Sequence, residues 1–125
     1  MGEIAVAIAD DNERILDLLG EMIENNKEMK LVGKANNGED VYTLIKEKQP
    51  DVVLLDVIMP HLDGLGVLER LNSMRLEKRP ICIMLSAVGQ DKITQKAITL
   101  GAQYYVVKPF DIEVLIKRIK EFYQK

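Results

Sequence analysis

Val52-Val53-Leu54-Leu55 is an unbroken apolar run with a carboxylate at each end, Asp51 and Asp56. A strand with one wet face alternates apolar and polar side chains. A short continuous run fits a strand covered on both faces, and sheets covered on both faces are parallel sheets flanked by helices. Ile4-Ala5-Val6-Ala7-Ile8-Ala9 is a second such run, and it ends in Asp10-Asp11. Two strands of this kind side by side bring three carboxylates to one edge of a sheet. Like charges about 4 Å apart repel by roughly 4 kcal/mol per pair at an effective dielectric near 20, so the cluster calls for something positive among them.

The rest of the chain repeats the pattern. Apolar runs at 3–9, 30–35, 51–56, 80–85 and 103–107 predict strands, and amphipathic stretches at 12–26, 39–48, 64–75, 91–100 and 111–123 predict helices. In the first helix Ile15, Leu18, Leu19, Met22 and Ile23 fall on one face. In the last, Val114, Leu115, Ile119 and Phe122 do, with Arg118 as the exception. Gly101 is placed to end the fourth helix in a left-handed conformation, and Pro80 to open the fourth strand, where a missing N–H is tolerated. Five strand-then-helix units predict a flavodoxin-like, doubly wound α/β sheet with strand order 2-1-3-4-5. At 125 residues, with no internal repeat and no Pro/Gly/Ser-rich linker, residues 1–125 are expected to form one domain with no effector domain attached.

Composition excludes several function classes. A net charge of −3 with dispersed lysines gives no clustered basic surface for nucleic acid. No apolar stretch approaches the ~18 residues that span a membrane, and Met1-Gly2-Glu3 lacks the basic flank of a signal peptide, so a cytoplasmic protein is expected. Cys82, the single cysteine, sits within Ile81-Cys82-Ile83-Met84-Leu85 and reads as a small buried hydrophobe.

In open α/β sheets chemistry gathers at the carboxyl ends of the strands, where strand order reverses. Here those ends carry Asp10-Asp11, Asp56, Ser86 and Lys108-Pro109. Each has a bland reading: Asp11 or Asn12 caps a helix, Asp56 makes a turn, Ser86 is a loop hydroxyl, Lys108 a solvated charge. Four strand ends with complementary groups are an improbable accident. All-oxygen donors suit a hard divalent ion such as Mg2+, or Mn2+ or Ca2+, whereas one cysteine and one histidine, His61, cannot make a usual zinc site. A carboxylate beside such an ion and an ammonium can attack phosphorus, so the set suits an aspartyl phosphate. Gly64 and Gly66 ease the loop into the third helix, because no phosphate-cradling glycine pattern surrounds them. A flavin module would need hydroxyl and N–H donors where this chain has Asp10-Asp11. A Mg2+-dependent phosphatase with an aspartyl nucleophile would place Asp-x-Asp after the first strand, which this chain lacks.

Over its whole length the chain resembles the receiver domains of two-component response regulators. The resemblance rests on Asp10-Asp11, Asp56, Met59-Pro60-His61-Leu62-Asp63-Gly64, Ser86-Ala87, Tyr105 and Lys108-Pro109-Phe110. Within that family it is most similar to receivers governing sporulation in endospore-forming Firmicutes, through Ala9-Asp10-Asp11-Asn12, Ile58 to Leu65, and Leu100-Gly101-Ala102 ahead of Lys108-Pro109-Phe110-Asp111. The resemblance implies a signalling switch and not an enzyme. Asp56 would accept a phosphoryl group from a partner's phosphohistidine. Asp11, Asp56 and the Ile58 carbonyl would bind Mg2+ directly and Asp10 mainly through water. Lys108 would pair with Asp56 at rest and with a phosphoryl oxygen afterwards, and the Lys108-Pro109 peptide would be cis. Ser86 and the Ala87 N–H would hold the remaining oxygens, while Tyr105 would turn inward and alter the face of helix four, strand five and helix five. Homodimerisation and a transcriptional output through a separate C-terminal DNA-binding domain are the implied consequences, initiation of sporulation among them. A stand-alone receiver relaying phosphate is the alternative, with a Mg2+-dependent aspartyl-nucleophile phosphatase a more distant one.

Overall fold

The computed structural model describes residues 3–74, 78–87 and 91–124. It contains β1 (Ile4–Ala9), α1 (Glu13–Glu24), β2 (Met29–Ala35), α2 (Gly38–Lys48), β3 (Val52–Asp56), α3 (Gly64–Asn72), β4 (Ile81–Ser86), α4 (Asp91–Thr99), β5 (Tyr104–Val107) and α5 (Ile112–Gln124). The strands form one parallel sheet in the order β2-β1-β3-β4-β5, the flavodoxin-like arrangement expected. The expected end of α3 at residue 75 lies outside the described residues.

Alternation along the strands splits the core into two layers. Val6, Ile8, Val52, Leu54, Ile83 and Leu85 pack with Leu19 and Ile23 of α1 and Leu115 and Ile119 of α5. Ala7, Ala9, Val53, Leu55, Cys82 and Met84 pack on the other face with Val41, Ile45, Val67, Leu68 and Ala97 from α2, α3 and α4. Each fully buried aliphatic side chain contributes about 1.5–3 kcal/mol of transfer free energy, which is why β3, buried throughout, tolerates no polar residue before Asp56. Cys82 is buried as expected, and burial pushes its thiol up to about 11.

Two helix faces differ from expectation. On α1 the buried residues are Leu16, Leu19, Gly20, Met22 and Ile23, while Leu18 is 48% exposed. The helix is turned toward Gly20, where a β-carbon would already touch Leu31 and Lys34 at 3.5–3.6 Å. On α5, Leu115 and Ile119 are buried with Ile112, Ile116 and Phe122 packed beside them, and Val114 is 47% exposed. Arg118 lies over the Tyr104 ring, 5.7 Å from its centroid, and pairs with Glu121 at 2.9 Å.

Element ends follow local chemistry. Asp51 precedes β3 instead of belonging to it: its carboxylate accepts the Ala5 N–H at 2.8 Å and pairs with Lys78, which ties the amino-terminal edge of the sheet. Pro80 is buried just before β4. Gly101, at φ 105°, closes α4 as expected, with Gly101 N–H to Ile98 C=O and Ala102 N–H to Ala97 C=O both at 3.0 Å. Among the described residues no helix is long and apolar enough to cross a membrane.

Candidate functional site

The carboxyl edge of the sheet is fastened strand to strand. Asp10 N–H donates to Ala35 C=O at 3.1 Å, Val57 N–H to Leu85 C=O at 3.2 Å, and Lys108 N–H to Ser86 C=O at 2.7 Å. These bonds carry the sheet's order one residue past the strands, so the residues leaving β1, β3 and β5 are held in register. Asp10, Asp11 and Asp56 each offer a carboxylate oxygen within 4.8 Å of the others. Lys108 Nζ lies 2.5 Å from Asp10 Oδ2 and 3.6 Å from Asp56 Oδ1. Four of the expected site residues thus meet in one pocket.

The ammonium pairs with Asp56 as expected, at 3.6 Å, and lies closer still to Asp10, at 2.5 Å. The reason is visible in how Asp10 is held. Its other oxygen, Oδ1, accepts the Asn12 N–H at 2.9 Å, a side-chain turn that aims Oδ2 at Lys108. Asn12 in turn caps α1, its Oδ1 accepting the N–H groups of Arg14 at 3.0 Å and Ile15 at 3.3 Å. Asn12 therefore joins a helix start to a pocket carboxylate. The triplet Asp-Asp-Asn before an amphipathic stretch is the signal for it, although residue types alone point there only to capping.

Asp10 is fully buried, Asp56 nearly so, and Asp11 faces solvent. Burial pushes the Asp56 carboxyl up to about 6, with Asp10 and then Asp11 adding to the rise, while Lys108 and the Ile58 backbone N–H oppose it. Three carboxylates against one ammonium leave the ionised cluster with two excess negative charges. An all-oxygen, doubly negative, half-open cluster fits a hard divalent cation better than any soft or nitrogen-seeking metal.

Ser86 is fully buried at the end of β4, one residue beyond Leu85, the register partner of Asp56. Ala87 follows it at the surface, and Ile58 is exposed at the pocket's lip. Tyr105 on β5 is half-buried against the α2–α3–α4 layer. The Lys108-Pro109 peptide is cis. His61 is exposed in the β3–α3 loop with φ 69°, and among the described residues the metal-ligating cluster is Asp10, Asp11 and Asp56 without it.

The family model of the response regulator receiver domain matches residues 6–120. The chain belongs to the response regulator receiver family. The receiver has solved structural relatives across bacteria. With the signal receiver domain of the response regulator NarL from Mycobacterium tuberculosis it shares 25% identity at a TM-score of 0.92, covering 99% of this chain and 98% of that one. A DNA-binding response regulator of the LuxR family from Staphylococcus aureus gives 27% identity and a TM-score of 0.89, over 96% and 98%. The CheX–CheY complex with BeF3 and Mg2+ from Borrelia burgdorferi gives 27% identity and a TM-score of 0.86, over 98% and 90%. Receivers are signalling domains of two-component systems that take phosphate from histidine kinases, and this receiver carries the acidic pocket of its family.

Proposed function

We propose that Asp56 is the phosphoacceptor of this receiver. The observation that carries the reading is the convergence of Asp10, Asp11 and Asp56 within 4.8 Å with Lys108 between them. An Asp56 carboxylate oxygen attacks the phosphorus of a partner's phosphohistidine: an O–P bond forms, the N–P bond breaks, and the leaving imidazole takes a proton from water. Asp11, Asp56 and the Ile58 carbonyl would hold Mg2+ directly, with Asp10 acting through water. Bound there, a divalent cation neutralises charge on the transferred oxygens. Lys108 leaves Asp10 for a phosphoryl oxygen, and the Ser86 hydroxyl and Ala87 N–H take the others. The BeF3 and Mg2+ bound in the related CheY complex support this assignment.

Phosphorylation adds about 1.5 to 2 negative charges and three strong acceptors. Drawing Ser86 toward them would open space into which Tyr105 turns, changing the face of α4, β5 and α5. A few charge-assisted hydrogen bonds of roughly 1.5 to 3 kcal/mol each suffice for the ~5.5 kcal/mol that moves an equilibrium from 1:99 to 99:1. The altered face then controls homodimerisation and, through a C-terminal DNA-binding domain, transcription. The likeness to a DNA-binding regulator supports that output, and the Ala9 to Asn12 and Ile58 to Leu65 segments support initiation of sporulation as its setting.

Acetyl phosphate with Mg2+ tests the reading by intact mass. One phosphoryl group per chain, absent in Asp56→Asn, is the expected result. Sustained turnover of added phosphomonoesters, or labelling that survives Asp56→Asn, would contradict it. Equal sedimentation of phosphorylated and unphosphorylated protein would contradict the dimerisation step.

A further inference from the structure

Residues 57–63 join β3 to α3 as a nearly closed ring. Gly64 N–H donates to Val57 C=O at 2.7 Å, drawing the two ends together. A β-carbon on Gly64 would lie 2.2 Å from the Asp56 carbonyl oxygen, so the root of the ring runs flush against the backbone of Asp56. At its far side Leu62 N–H donates to Pro60 C=O at 2.8 Å around His61, whose φ of 69° is rarely adopted by a residue with a side chain. This turn presents the Leu62 carbonyl to Gly38, the first residue of α2. A β-carbon on Gly38 would meet the Leu62 oxygen at 1.8 Å and its carbonyl carbon at 2.5 Å. Gly38 has no left-handed backbone to explain it. What excludes a side chain at this position is the main chain of the loop.

We infer that Gly38 is a positioning residue for the phosphoacceptor: its bare Cα sets the depth at which the β3–α3 ring seats. The inference deepens the phosphoacceptor reading and rests on it. Ile58 belongs to the ring, and its backbone N–H acts on the Asp56 carboxyl. A ring of seven residues pinned at its root cannot move Leu62 aside without carrying Ile58. Any residue but glycine at 38 therefore shifts the backbone beside Asp56. Gly33 makes the contrast. A β-carbon there would meet first the Leu44 side chain, its methyls at 2.6 and 2.8 Å, which can swing away as main chain cannot.

The test compares wild type, Gly38→Ala and Gly33→Ala at a temperature where all are folded. It measures the rate of labelling by acetyl phosphate at saturating Mg2+ and the dissociation constant for Mn2+. Misplacing a reacting group by about 1 Å costs up to roughly 100-fold, so Gly38→Ala is expected to label at least about tenfold more slowly, with Gly33→Ala like wild type. Weaker Mn2+ binding should accompany the loss. A Gly38→Ala protein that labels and binds Mn2+ as Gly33→Ala does would overturn the inference while leaving the phosphoacceptor reading intact. A wild type that takes no label would sink both. If Gly38→Ala does not fold, the reciprocal measurement on wild type decides. Mg2+ with beryllofluoride should move the amide resonances of Gly38 and Glu39, and resonances that stay put would overturn the inference.

Discussion

Asp56 is the residue on which the site's electrostatics turn. Its carboxyl sits at about 6 in the folded protein against 3.8 unperturbed, so between those values the folded state binds more protons than the unfolded one. Stability then falls as pH rises through that window. The metal-free protein is accordingly expected to lose stability in chemical denaturation from about pH 4 to about pH 6, and Asp56→Asn to flatten that slope; equal slopes in the two proteins would contradict the burial argument. Asn12 carries a smaller, separate effect. Replacing it with Ala removes the cap of α1 and should cost about 1 kcal/mol in urea unfolding. The convergence of Asp10, Asp11, Asp56 and Lys108 was legible from strand ends alone, because a carboxylate or an ammonium closing a buried apolar run stands out. The closer contact of Lys108 with Asp10, at 2.5 Å against 3.6 Å to Asp56, was not: it depends on the Asn12 N–H that aims Asp10, a contact with no signature in residue spacing.

Strands and helices were readable as types, and their faces less so. Continuous apolar runs marked β1, β3 and β4 because both their faces are buried. The apolar pattern of α1 points to Leu18 because it gives no weight to Gly20, which faces the Leu31 and Lys34 side chains of β2. The sequence extends β3 to Asp51 because nothing in it signals that this side chain binds back to Ala5. The end of α4 was clear from Gly101, but what sits on it was not: Arg79 Nη2 and Asn72 Nδ2 both donate to Leu100 C=O, at 3.0 and 3.1 Å, binding that turn to the end of α3. Gly101→Ala forces a side chain into a left-handed backbone and should cost roughly 1–2 kcal/mol in urea unfolding. An unchanged midpoint would show that the turn relaxes freely.

The molecule as a whole is two apolar layers on a parallel sheet, with like charges concentrated at one end of the middle strands. That arrangement couples cation binding to folding. With Mg2+ at about 100 times its dissociation constant the folded state should gain about 2.7 kcal/mol, seen as a raised melting temperature that Asp11→Asn largely abolishes. No shift at millimolar ion would count against the cluster as a cation site. The switch proposed for this receiver depends most on where the phosphoryl group lands, and chemistry can read that position directly. Borohydride reduces an acyl phosphate to an alcohol, converting the aspartate that bore it to homoserine, which peptide sequencing by mass spectrometry locates. After acetyl phosphate and Mg2+, homoserine is expected at position 56 and at no other aspartate. Homoserine at Asp10 or Asp11, or none anywhere in a protein shown to be folded, would contradict the assignment.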